Sequence, residues 1–78
     1  MMKYLRRTDF DLGPQFVAFT GSTSHEDMAR MMGWPRAEIV SAGFMNLTPL
    51  GLHCHGKSQS LGIASLDADS KLATAFFK

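Results

Sequence analysis

The residues with the most reactive or ligand-binding side chains fall in one run, Gly51-Leu52-His53-Cys54-His55-Gly56-Lys57-Ser58-Gln59. Gly51 to Ser58 matches the phosphate-loop pattern Gly-x4-Gly-Lys-Ser letter for letter. In such a loop the glycines let backbone amides surround phosphate, the lysine reaches the terminal phosphates and the serine holds magnesium. Gly51, Gly56, Lys57 and Ser58 would take those parts here. The neighbouring residues disagree. Leu52 to His55 are bulky where a wrapped loop favours small side chains, and Gly62 opposes a helix opening at Lys57-Ser58. Leu61 to Asp67 imitates an apolar strand ending in a carboxylate, but a strand starting at Leu61 leaves no room for a crossover helix.

His53 and His55 lie two apart, so on a strand both imidazoles project from one face, a spacing that suits zinc, nickel or copper. His25 is the one further histidine that could complete a ligand set. No carboxylates cluster around them to orient the rings, so two solvent-facing histidines are expected and no metal. Cys54 points away from both on the same strand, which opposes a cysteine–histidine nucleophile pair. Asp9, Asp11, Asp67 and Asp69 stand in turn and helix-cap contexts. The expectation is a non-enzymatic protein with no cofactor.

A third chemistry is nucleic-acid recognition. Residues 24–42 resemble a helix-turn-helix, with Ala29 at the helix crossing, Gly33 at the turn and Ile39 as apolar anchor of a second helix. Arg36 would be the only basic contact, and Glu38 would oppose phosphate. The net charge of the 78-residue chain is +1, too small to draw it generally toward nucleic acid or anionic lipid.

These residues need elements to position them. Residues 1–14 mix aromatic and charged side chains and end at Gly13-Pro14, which reads as an extended arm and a turn. Residues 15–78 then form the core of a single domain. Gln15–Thr20 is a strand rich in aromatic and β-branched residues. Ser24 caps a helix with acids in its first turn, a Glu26–Arg30 pair and a stripe of Met28, Met31 and Met32 expected in the core; Gly33 ends it. Ile39–Leu47 reads as a middle strand in which Gly43 marks a bulge or a close backbone approach.

Thr48-Pro49-Leu50-Gly51 turns the chain into a strand through Ser60. One of its faces carries Leu52 and Cys54, and the other shows His53, His55, Lys57 and Gln59. Asp67 is expected to cap a last helix through Phe77, to pair with Lys71, and to be followed by a buried stripe of Ala68, Leu72, Ala75 and Phe76. The order β-α-β-β-α gives an α+β layer: a mainly antiparallel three-stranded sheet with two helices, most simply on one face.

The segments Ile39-Val-Ser-Ala-Gly-Phe44 and Cys54-His-Gly-Lys-Ser-Gln-Ser-Leu-Gly-Ile63, followed by an acidic helix cap, resemble small uncharacterised proteins of mobile elements, of the integron-cassette or phage type. The likeness spans roughly residues 16–70 and implies a compact α+β fold that self-associates, with no activity attached. A chain this short buries a limited core, and its lone cysteine permits no internal disulfide. Self-association is the remaining remedy. The expected function is a binding or adaptor module acting as a homo-oligomer toward an unidentified protein or small ligand through His53, His55, Lys57 and Gln59. No membrane partner is expected. The free cysteine and the lack of an apolar segment behind the basic N-terminus point to a cytoplasmic location.

Overall fold

The computed structural model describes residues 1–78. Its elements are β1 (Met2–Asp9), β2 (Gly13–Phe19), α1 (His25–Met32), a 3-10 turn at Arg36–Glu38, β3 (Ile39–Thr48), β4 (Gly51–His55), β5 (Lys57–Ser58), β6 (Ile63–Ala64) and α2 (Asp69–Phe76). The main sheet has strand order β2-β1-β3-β4, antiparallel throughout, and β5 pairs with β6 separately. The α+β class, the antiparallel sheet and the two helices packed on it agree with the sequence reading.

The sheet has four strands because the expected N-terminal arm is an interior strand. Tyr4 and Leu5 are fully buried. Alternation sends Tyr4 and Arg6 to one face of the sheet and Leu5 and Arg7 to the other. Each arginine meets a partner there: Arg6 the carboxylate of Asp69 at 3.0 Å, and Arg7 both Glu38 at 3.2 Å and the ring of Trp34, 4.7 Å from its centroid. Charge in this segment suggested solvent, but the paired arginines leave its apolar residues free to be central.

Two apolar clusters lie on opposite faces of the sheet, and the helices divide between them. Leu5, Phe19, Ile39 and Ala42 pack with Ala29 of α1, Trp34 and Leu61. Tyr4, Phe16, Met45 and Cys54 pack with Ala73 of α2. Helices on a single face would leave one of these clusters in water. Fully burying a side chain such as Leu5 or Met45 contributes about 1.5–3 kcal/mol.

Local signals place α1 well. The Ser24 hydroxyl accepts from the Asp27 amide at 3.0 Å, Gly33 takes the left-handed conformation at φ 70°, and Arg30 pairs with Glu26 and Asp27. The methionine stripe is corrected. His25 and Ala29 are the buried residues, Met28 is half-buried, and Met31 is 74% exposed. With His25 and Ala29, four residues apart, marking the inward side of this two-turn helix, Met31 falls on the outward side.

Two alternatives lack the backbone geometry they need, and the strands read at both places are present. Ile39–Thr48 is a strand, so no second helix follows α1 and no helix-turn-helix forms. Arg36 instead donates from Nε to the Leu61 carbonyl at 3.0 Å. The β-branched Ile39 and Val40 with Gly43 outweigh the helical start that Pro35 allows. Gly51–His55 is likewise a strand paired with β3, and no helix opens at Lys57. The Ser58 hydroxyl accepts from the Leu61 amide at 3.1 Å inside a turn. The phosphate-loop letters therefore do not make a phosphate loop.

The last helix starts at Asp69, not at Asp67. Asp69 is fully buried, with one carboxylate oxygen accepting from Arg6 Nη1 and the other from the Tyr4 hydroxyl and the Leu66 amide. Asp67 makes no cap and forms no ion pair with Lys71. The buried residues of α2 are Asp69 and Ala73, while Ala75 is exposed.

Removing one member of this buried pair is expected to cost far more than replacing both. Asp69→Ala should lower the unfolding free energy by about 3–5 kcal/mol, and an Arg6→Met/Asp69→Leu double substitution should recover most of the loss. Urea denaturation of the three proteins measures both.

Candidate functional site

β4 is an outer strand of the sheet, and its position is fixed from three directions. On its inner side it pairs with β3 from Phe44↔His55 to Thr48↔Gly51. On its outer side α2 supplies acceptors for the amides that a further strand would have taken: Leu52 donates to Thr74 Oγ1 at 2.9 Å and Cys54 to Ser70 Oγ at 2.8 Å. At its start the Thr48 hydroxyl donates to the Gly51 carbonyl at 2.8 Å and closes the hairpin turn. An edge satisfied in this way does not recruit another strand.

The face of β4 opposite α2 carries a row of rings that runs outward from the core. Phe19 meets His25 edge-on at 5.5 Å, His25 meets Phe44 edge-on at 5.5 Å, Phe44 lies 6.2 Å from His55, and His55 stacks on His53 at 5.3 Å and 18°. Two-residue spacing alone permits many arrangements of His53 and His55. Contact with Phe44 selects this one. Edge-on aromatic contacts add about 0.5–1.5 kcal/mol beyond burial, so the row also gives the rings a preferred orientation.

His25 anchors the row and lies apart from the other two histidines. It is buried, with Nε2 2.8 Å from the Gly43 carbonyl, and Phe44 stands between it and His55. No group of three or more His, Cys, Asp or Glu residues is arranged to hold a metal ion. Burial holds the His25 imidazole below its ordinary value, and Lys3 acts in the same direction, against the opposing effect of the Gly43 carbonyl. Gly43 has a further duty. A Cβ there would lie 2.5 Å from the His55 carbonyl oxygen and 3.3 Å from that of Gly56. The close backbone approach read from the sequence is therefore real, and it sets how near the end of β4 comes to β3.

The expected continuous row His53, His55, Lys57, Gln59 is interrupted at Gly56, whose positive φ of 76° ends β4 and redirects the chain into β5. Lys57 and Gln59 instead line a groove of about 280 Å³ with Lys3, Ser60 and the His25–Phe44 part of the ring row. His53 and His55 reach that groove only through Phe44. A larger groove of about 870 Å³ lies on the α2 side of β4, lined by His53, Lys71, Lys78, Thr74 and the exposed Leu50 among others. Sequence reasoning missed Lys3, Phe44, Lys71 and Lys78. Only Phe44 carried a local signal, being opposite His55 once the Thr48–Gly51 turn is taken as a hairpin.

Cys54 faces the other way, toward Tyr4 and Asp69. Burial pushes its thiol up, and the Asp69 carboxylate adds to the effect. Burial together with the hydrogen bond to Asp69 raises the Tyr4 hydroxyl well above its ordinary range, so it stays a proton donor to that carboxylate. This buried set is a structural network beneath α2.

Two outcomes follow. Gly43→Ala is expected to displace His55 and destabilise the fold by about 1–3 kcal/mol through overpacking, read as loss of the His53–His55 contact in NMR spectra and a lower denaturation midpoint. Because His25 is held neutral in the folded chain, its contribution to stability is complete above pH 6.5 and is lost as pH falls through the lower folded value. Unfolding free energies measured across acidic pH should therefore fall less steeply in His25→Gln than in the parent.

No helix of the chain is long and apolar enough to cross a membrane. Comparison with family models, with curated proteins and with solved structures finds no match to this chain, so the functional reading rests on the geometry.

Proposed function

We propose that this chain is a non-enzymatic binding module that works as a homo-oligomer joined along its sheet, with the β4 face as the surface presented to its ligand or partner. The observation that carries the reading is the ring row, which fixes His53 and His55 in a stacked pair at the surface beside Lys57 and Gln59. Exposed polar side chains held by a buried scaffold suit recognition, since ordering them has already been met by folding. The residues most suited to catalysis, Cys54, Tyr4 and Asp69, are buried on the other face of the sheet.

Self-association is supported by the opposite edge of the sheet. β2 is bordered only by β1, and its backbone makes no hydrogen bond outside that ladder. Beside it Phe76 and Phe77 meet Phe16 at tilted angles while remaining 46% and 43% exposed, and Phe10 and Leu12 of the adjoining turn are 100% and 72% exposed. An open edge next to aromatic surface is the usual condition for pairing with a second chain.

Light scattering over a wide concentration range is expected to give a multiple of the 8.6 kDa chain mass. Phe77→Glu is expected to shift the mass toward one chain while the circular dichroism stays unchanged. A mass of one chain at every concentration would contradict the oligomer.

A further inference from the structure

The arginines and the lysines of the chain differ in their acidic partners. Arg6, Arg7 and Arg30 are paired with carboxylates, and Arg36 donates to a backbone carbonyl. None of the four lysines forms an ion pair, and all four line one of two grooves: Lys71 and Lys78 the groove on the α2 side of β4, Lys3 and Lys57 the groove at the start of α1, where Lys3 Nζ also donates to the Gly21 and Thr23 carbonyls at 3.2 and 2.8 Å. Neither groove is lined by a single Asp or Glu. Glu26, whose amide bonds Ser60 at the smaller groove, turns its carboxylate to Arg30. With a net charge of only +1, this concentration of cations reflects where the residues are placed and not a generally basic chain.

Between the two lysine pairs lie the stacked rings of exposed His53 and half-buried His55, backed by Phe44. A surface of flat rings flanked by cations, with no Asp or Glu lining its grooves, has a chemical complement: a chain of anionic groups that also carries rings.

We propose that the β4 face binds single-stranded nucleic acid, with phosphates taken by the lysines of the two grooves and bases stacked on His53 and His55. This rests on the reading of β4 as the presented surface and adds the class of its ligand. Lysine meets phosphate as a compact point charge, and base stacking on side-chain rings is tolerant of sequence. A duplex hides its base faces within its own stack, so it can use the lysines but not the rings. A small free anion would occupy one groove and leave the other without a role. An acidic protein would meet the lysines and leave the imidazole faces unused.

Fluorescence anisotropy of labelled oligothymidylate and oligouridylate of about 12 nucleotides tests this, with the matching duplex and polyglutamate as competitors. Binding is expected to weaken with salt, and the slope of log affinity against log salt is expected to drop by about 0.7 for each of Lys57→Gln and Lys71→Gln. His53→Ala/His55→Ala is expected to weaken binding at least about fivefold while the slope stays the same. These positions are exposed or half-buried at the surface, and circular dichroism confirms that each variant is folded. Absence of binding, equal competition by duplex or polyglutamate, or unchanged affinity in the histidine variant would each overturn the proposal. The readout is independent of oligomeric state: a monomer that binds the oligonucleotide removes only the self-association reading, and an oligomer that does not bind removes only this one.

Discussion

The buried carboxylate of Asp69 ties the two ends of the chain together. It receives Tyr4 and Arg6 from β1 and the Leu66 amide from the turn before α2. β1 is the strand to which both β2 and β3 pair, and α2 is the helix that seals the outer edge of β4. One fully buried charge thus joins the middle of the sheet to the element that closes its side. A buried ion pair adds little net stability compared with apolar residues of the same volume. Its effect here is on arrangement: with Asp69 in place, α2 has one position along the sheet, and Ser70 and Thr74 fall opposite the free amides of β4.

The division of labour between the two faces of the sheet follows. Beneath α2 lie the groups that would be reactive in water, the Cys54 thiol and the Tyr4 hydroxyl, both held in their neutral forms by burial and the neighbouring carboxylate. On the other face His25 carries order outward from the core through Phe44 to the surface histidines. Arginines serve the fold and lysines border the grooves. Arg6, Arg7 and Arg36 hold geometry by directed hydrogen bonds, for which a planar multi-donor group is suited; Lys3 is likewise held, by the Gly21 and Thr23 carbonyls, whereas Lys57, Lys71 and Lys78 keep their charge on flexible stems that can follow a ligand.

Much of the architecture was legible because it is local. Ser24, Gly33 and Gly43 announce a cap, a helix end and a tight approach, and each does what its chemistry suggests. The central role of Met2–Asp9 was not legible, since the partners that neutralise Arg6 and Arg7 are Asp69 and Glu38, far along the chain. The same distance concealed that Asp69 is a buried acceptor and Asp67 is not a cap. For the site, alternation identified His53 and His55 as sharing one face, and the positive φ of Gly56 broke the alternation for Lys57 and Gln59. Lys3, Lys71 and Lys78 join them only through tertiary contacts that no spacing encodes.

The central claim is that the β4 face is the working surface of the molecule. It is tested most directly by following the backbone amide and imidazole NMR signals of the whole chain while a single-stranded oligonucleotide is added. The expected result is saturable change confined to His53, His55, Lys57, Gln59 and the neighbouring Lys3, Lys71 and Lys78. Change centred on β2 or on the outer side of α1 around Met31 would contradict it.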